Sequence, residues 1–135
     1  IILPNAQGTK YLSLISIVGD KGIFGSVDRI EMPLKLIDLM WTHKGIILWK
    51  DFENLSDNLR VGFKGKQAIW LQKNLRLLGF FKGQEAPFYG PNTKSSVAKF
   101  QRKHHIKDDG RFGIESKIML YGLSNIYQTP KLIKP

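Results

Sequence analysis

The chain contains no cysteine. That absence excludes disulfide scaffolds, cysteine-ligated zinc and thiol nucleophiles, though it leaves the compartment open. Histidine is nearly absent too, with 3 residues of which two are adjacent, and this leaves little material for a metal site. No apolar run reaches the roughly 18 residues of a membrane span. The best candidate, residues 11–18, is interrupted by Ser13 and Ser16. With neither an initiator methionine nor a secretory leader, the sequence is expected to be an excised fragment. What is present is ordinary: 135 residues, 42% hydrophobic and 24% charged. Such a composition predicts a packed, soluble fold of one domain or two very small ones.

Charge is unevenly placed. Residues 1–59 carry 6 Lys+Arg against 7 Asp+Glu, a net of −1, whereas residues 60–124 carry 13 against 4, a net of +9. This asymmetry suggests two modules and an anionic partner for the second. Nucleic acid, an acidic membrane surface and an anionic wall polymer all meet that description, as does simple solubility.

The first half reads as strands around one short helix. Residues 10–18 are rich in Leu, Ile, Val and Tyr, which suits a strand. Gly19-Asp20-Lys21-Gly22 has hairpin-turn chemistry, and a second strand is expected over 23–29. Pro33 fits the first turn of a helix, with Leu34, Ile37 and Trp41 forming an apolar stripe. Residues 45–49 read as another strand. Trp41 and Trp49 read as packing residues rather than ligand-stacking ones.

The second half reads as three helices. Ala68, Leu71, Leu75 and Leu78 share one face of a helix over 66–78, closed by Gly79. A second helix is expected from Pro91 to about His104, with Val97 and Phe100 inward. A third is expected from near Ile114 to Gly122, with Ile118 and Tyr121 inward. The last two share a start signal. Phe88-Tyr89-Gly90-Pro91-Asn92-Thr93 corresponds to Arg111-Phe112-Gly113-Ile114-Glu115-Ser116, an offset of 23 residues. The aromatic ring is expected to bury, glycine to turn the chain, and the hydroxyl to satisfy a backbone group at its own helix start. Two such helix starts facing one space would favour anions.

These segments carry a resemblance. Arg60-Val61-Gly62, Gly65, Leu71-Gln72-Lys73-Asn74-Leu75 and Leu78-Gly79-Phe80 resemble the opening of the three-helix type of peptidoglycan-binding domain. The 88–93 segment with Ala98-Lys99-Phe100-Gln101, and Asp109-Gly110-Arg111-Phe112-Gly113 with Ser116, are similar to its second and third parts. The likeness covers about 59–123. It departs at Ala86-Pro87, where the family often has Asp-Gly, and at Glu115-Ser116, where a Thr ending is commoner. A second resemblance lies in Trp41-Thr42 and Ile47-Leu48-Trp49-Lys50-Asp51, directly before Leu59. It is to the periplasmic C-terminal region of the general secretion pathway protein A family, in which the tail of a domain related to C39 peptidases precedes the wall-binding module. That resemblance implies a periplasmic location within an inner-membrane-anchored protein of type II secretion. It also implies help in secretin assembly, with secretion pathway protein B and the secretin as partners. A membrane would enter only through parts of the full-length protein absent here.

Catalysis is not expected. A C39 peptidase needs a cysteine, which the chain lacks, and Lys10 beside Tyr11 stands where its histidine would fall. His43 has no nucleophile to serve. Ser13, Ser16 and Ser26 have no activating His or Lys, and Gly62, Gly65 and Gly90 form no phosphate loop. Neighbours such as His104 and His105 diverge by about 100° on a helix, so a solvated helix end is read there. Asp108-Asp109-Gly110 lacks the further acids of a calcium loop and reads as a turn. Asp51 and Glu53 have the residue type for glycan hydrolysis but read as linker. The basic run Lys99, Arg102, Lys103, His104, His105 and Lys107 suits a nucleic-acid backbone, yet a solvated face ranks above it and no nucleic acid is expected.

The fold class expected is α+β, with a small strand-rich region and one short helix, then an all-α three-helix domain. The expected divisions are a catalytically empty C39-like remnant at 1–56, a peptidoglycan-binding domain at 57–124 and a loose tail at 125–135, which leaves self-association open. Stem peptides offer carboxylates, and glycan offers hydroxyls and acetamides. Tyr89, Asn92 and Thr93 are expected on one side of a pocket and Asp109, Arg111 and Gly113 on the other, joined by Arg60 and Gln101. No cofactor and no metal are expected. The alternatives are an accessory wall-targeting module of a cell-wall hydrolase and a basic nucleic-acid-binding helical domain.

Overall fold

The computed structural model describes residues 2–5, 8–25, 29–42, 44–47, 49–57 and 59–129. Ser26, His43 and the tail beyond Thr129 lie outside them. The chain divides into two compact units, one within residues 1–48 and one spanning Trp49–Thr129.

Among the described residues, the first unit contains five strands and a helix. β1 (Ile2–Asn5) pairs antiparallel with β2 (Gly8–Tyr11), with Ile2 opposite Tyr11. β3 (Leu14–Val18), β4 (Lys21–Phe24) and β5 (Ile30–Pro33) form a second antiparallel sheet in that order. The β3–β4 turn is the two residues Gly19-Asp20, since Val18 faces Lys21. Gly19 has φ +58°, a value glycine adopts without steric cost. The strand expected over 10–18 is thus two strands, broken at Leu12-Ser13. Alternation along β4 turns Gly22 and Phe24 inward. There they meet Ile37 of α1 (Leu34–Met40). Gly22 cannot carry a side chain, because a Cβ would sit 2.8 Å from Ile37 and from the Phe24 ring. Of the expected stripe, Ile37 alone is buried. Trp41 ends the helix, its indole N–H donating to the Lys44 carbonyl at 2.7 Å. The strand expected over 45–49 is absent from the described residues of that stretch. An apolar run becomes a strand only where a neighbouring edge supplies hydrogen bonds, and among the described residues none pairs with it.

The second unit contains α2 (Lys66–Leu77), α3 (Pro91–Lys103) and α4 (Ile114–Leu123). The chain is therefore α+β, as its periodicities indicate. Each of these helices follows a glycine: Gly65, Gly90 and Gly113. The predicted inner faces close one core. Leu71 and Leu75 of α2, Val97 and Phe100 of α3, and Tyr121 of α4 are buried around Leu59, Tyr89 and Phe112, while Leu120 joins them in place of the expected Ile118, which is only half-buried. Both repeat aromatics, Tyr89 and Phe112, are fully enclosed. Each full burial of a large apolar side chain is worth about 1.5–3 kcal/mol, so these rings hold the loops that begin α3 and α4. Isolated β-bridges, Lys64 with Phe88 and Leu59 with Phe112, stitch the loops together.

Helices α2 and α3 end alike. Gly79 N–H donates to Arg76 O and Phe80 N–H to Leu75 O. His105 N–H donates to Arg102 O and Ile106 N–H to Gln101 O. Both are Schellman closures, which place the residue after the cap in the left-handed region. Gly79 has φ +81° and His105 φ +57°.

Residues 49–56 and 125–129 join this unit. Leu55 enters the core, and Tyr127 stacks between Phe52 and Tyr121, 4.9 Å from each ring. The tail read as loose is therefore docked as far as Thr129, because an aromatic side chain there has apolar rings to cover.

Candidate functional site

Two buried glutamines organise the loops that precede α3 and α4. Gln72 on α2 donates to Phe88 O at 2.8 Å and Thr93 Oγ1 at 2.9 Å, and accepts from Ala86 N–H at 2.7 Å. Gln101 on α3 repeats this arrangement one helix later. It donates to Arg111 O at 2.8 Å and Ser116 Oγ at 3.1 Å, and accepts from Gly110 N–H at 2.9 Å. The repeated hydroxyl residues therefore do not cap their own helices, which have no side-chain cap bond. They bond the glutamine of the preceding helix instead. A buried amide needs partners for both ends, and the repeated hydroxyl is the group within its reach.

Gly110 lies at the crossing of these connections. Its carbonyl accepts from the Tyr89 hydroxyl at 2.8 Å, joining the first repeat loop to the second. Its φ is +69°, and a Cβ there would come within 2.6 Å of Lys94 Cγ. The Asp109 carboxylate accepts from Arg111 N–H at 2.9 Å, which closes the turn. Burial, helped by the Asp109 charge, pushes the Tyr89 hydroxyl well above its usual range and keeps it a donor.

The rigid 109–113 loop forms the rim of a groove of about 410 Å³. Gln101, Asp109, Arg111 and Gly113 line it, together with Asp57, Ile106, Lys107, Ile114, Glu115 and Ser116. Four of the eight expected site residues thus meet. Asn92 lies elsewhere, in a groove of about 420 Å³ between residues 79–83 and α3, with Lys82, Ser95 and Lys99. Tyr89 and Thr93 sit in the interior, 0% and 2% exposed, and serve as struts that no polymer can reach. Their side chains point inward because the first repeat loop is held from beneath by Gln72. Arg60 is exposed and lines neither groove. Asp57, Ile106, Lys107, Ile114, Glu115 and Ser116 lie beyond the residues expected at the pocket. Ile114 and Glu115 belong to the repeat itself, and their place immediately after Gly113 is the signal that marks them.

The carboxylates near α4 are structural. Lys117 Nζ is buried and donates to Asp51 at 3.1 Å, Asp57 at 2.7 Å and Leu55 O at 2.5 Å. The Tyr121 hydroxyl donates to Asp51 at 2.6 Å, and the Tyr127 hydroxyl donates to Glu53. Burial pushes the Asp51 carboxyl up, but bonds from Tyr121, Leu55 N–H and Lys117 outweigh it and hold the group below its ordinary value. Burial likewise pulls Lys117 down, yet bonds and charges from Asp57 and Asp51 leave it raised. A carboxylate locked in this way cannot protonate a leaving group at neutral pH. The linker expected at 51–53 is therefore an ionic anchor onto α4.

Arg102 spends its charge on Asp108, with Nε and Nη2 both within 2.9 Å of one carboxylate oxygen. His104 lies against Phe100, 4.8 Å between centroids. The basic run is thus partly self-neutralised and partly packed, while Lys99, Lys103, His105 and Lys107 remain exposed. Among the described residues, no group of three His, Asp or Glu side chains is placed to hold a metal.

The helices, their glycine starts and the glutamine-held loops define a small three-helix module. Residues 64–117 match the family described as "Putative peptidoglycan binding domain". Across 117 residues, 84% of this chain, the sequence is 22% identical to "Putative general secretion pathway protein A" of Escherichia coli K12. The chain spans 24% of that relative's length. The solved periplasmic domain of the EpsAB fusion protein of the Vibrio vulnificus type II secretion system shares the fold, with a TM-score of 0.53 at 17% identity. That likeness covers 93% of this chain and 56% of the other. The SleB N-terminal domain is 30% identical, covering 50% of this chain and 94% of the other, with a TM-score of 0.48. Among the described residues, no helix is long and apolar enough to cross a membrane.

Proposed function

We propose that the chain is a noncatalytic anchor that holds peptidoglycan in the groove rimmed by residues 109–113. The observation that carries this reading is the position of Arg111. Its backbone is fixed by Gln101 and Asp109, while among the described residues its guanidinium enters no ion pair at the groove, inside the stretch that matches the wall-binding family. A preorganised cation beside amide and apolar groups suits a stem peptide on a glycan. The wall-binding domain in this reading extends over the whole compact unit of 49–129, since Lys117 and Tyr121 bind the preceding segment to α4.

The likeness to general secretion pathway protein A supports a place in the periplasm, as part of an inner-membrane-anchored protein of type II secretion. There the anchor would help the secretin assemble through the wall, with secretion pathway protein B as a partner. The first unit, a C39-like remnant without its cysteine, would position the module or bind such a partner. The test is sedimentation with purified, protein-free sacculi at several salt concentrations. Binding should survive moderate salt and competing nucleic acid, release no soluble fragments, and fall sharply in Arg111→Ala. Failure of the wild-type chain to pellet would refute the proposal, and loss at modest salt alone would reduce it to diffuse charge attraction.

A further inference from the structure

The groove at 106–116 carries both signs of charge. Lys107 and Arg111 supply cations, and Asp57, Asp109 and Glu115 supply carboxylates, of which Asp57 is taken by Lys117 at 2.7 Å. Among the described residues, Lys107, Arg111 and Glu115 enter no ion pair with one another or with other side chains. Asp109 uses Oδ1 on the loop, leaving its second oxygen without a protein donor. Beside these charges stand Ile106, half-buried, and Ile114, 50% exposed. Beyond the paired Asp57, a polyanion would meet two more carboxylates here, and a plain ammonium would meet two cations. Neither is well matched.

A ligand that carries an ammonium and a carboxylate on one carbon, at the end of an aliphatic arm, satisfies every wall. Its carboxylate takes the Arg111 fork, its ammonium takes Glu115 and Asp109, and its methylenes cover Ile106 and Ile114. The groove, at about 410 Å³, has room for such an arm. We infer that the groove selects the zwitterionic side-chain end of a diamino dicarboxylic acid in the stem peptide, as in meso-diaminopimelate. This inference rests on the wall-binding reading and specifies what that site recognises.

Calorimetry on the intact chain tests it with two synthetic tripeptides, Ala–γ-D-Glu–meso-diaminopimelate and its counterpart ending in lysine, which lacks the distal carboxylate. Losing one charge-assisted partner should weaken binding about tenfold. Arg111→Gln should bind both peptides equally and weakly, and Glu115→Gln should lose much of its affinity for the diaminopimelate peptide. Both side chains are exposed and free of structural bonds, so neither change should alter the unfolding midpoint. Equal affinity of the wild-type chain for the two peptides, with sacculi still pelleted, overturns this inference alone. Selectivity that persists in both variants also overturns it, by placing the reader elsewhere. Sacculi left in suspension overturn the wall-binding reading with it.

Discussion

Replacing Gln101 by leucine tests the reasoning on which the site depends. The substitution keeps an apolar stem of similar bulk but removes bonds to Arg111 O, Ser116 Oγ and Gly110 N–H. A neutral hydrogen bond contributes about 1 kcal/mol net, and a buried partner left unsatisfied costs about 1–3 kcal/mol. The losses are unequal. The Arg111 carbonyl keeps the bond it accepts from Gly113 N–H at 3.0 Å, and the Ser116 hydroxyl can rotate toward its own helix. Gly110 is buried, so its N–H is orphaned. Together these terms predict a destabilisation of about 3 kcal/mol. That is a large share of the 5–15 kcal/mol that holds an ordinary domain. With a urea slope of about 1–2 kcal/mol per molar, the midpoint should fall by about 2 M. Chemical unfolding followed by circular dichroism measures this directly. Gln72→Leu should behave alike, and because the two glutamines bond different loops their costs should add within about 0.5 kcal/mol. A loss below about 0.5 kcal/mol for Gln101→Leu would refute the view that these amides hold the groove.

Five further outcomes follow from the structure. His105→Gly should stabilise the chain by about 1 kcal/mol, because φ +57° strains a side chain there. Gly110→Ala should destabilise it against Lys94, and thermal unfolding ranks the two. Lys117→Met should cost about 3 kcal/mol by stranding Asp51 and the Leu55 carbonyl. Because the folded Asp51 value is depressed, its stabilisation is fully present above the ordinary 3.8 and is lost as pH falls below that. Unfolding measured between pH 5 and pH 2, roughly the window of carboxylate protonation, should therefore show a weaker acid dependence in Asp51→Asn. Finally, His104 should titrate below 6.5, since burial and then the Lys103 and His105 charges disfavour its protonated form. NMR of the imidazole checks this, and a value at or above 6.5 would contradict its packing against Phe100.

Sequence by itself determined the three helices, because each writes its inner face in a period set by backbone geometry. Ala68, Leu71 and Leu75, then Val97 and Phe100, then Tyr121 are buried where that period places them. The repeat also declared its function locally, since an aromatic before glycine has one way to bury as the chain turns into a helix. The tertiary structure alone decided which polar residues face a ligand. Tyr89 and Asn92 stand near one another in sequence, yet one is a strut beneath the loop and the other lines a separate groove. Nothing in their spacing marks Gln72 and Gln101 as the organisers. A buried amide is recognised by partners 9–21 residues away, and these meet it only when the helices pack. The anchor of Asp51 on Lys117, across 66 residues, is of the same kind. Local periodicity encodes burial, whereas the pairing of distant polar groups is fixed by the cost of leaving them unpaired inside a core that only the folded chain creates.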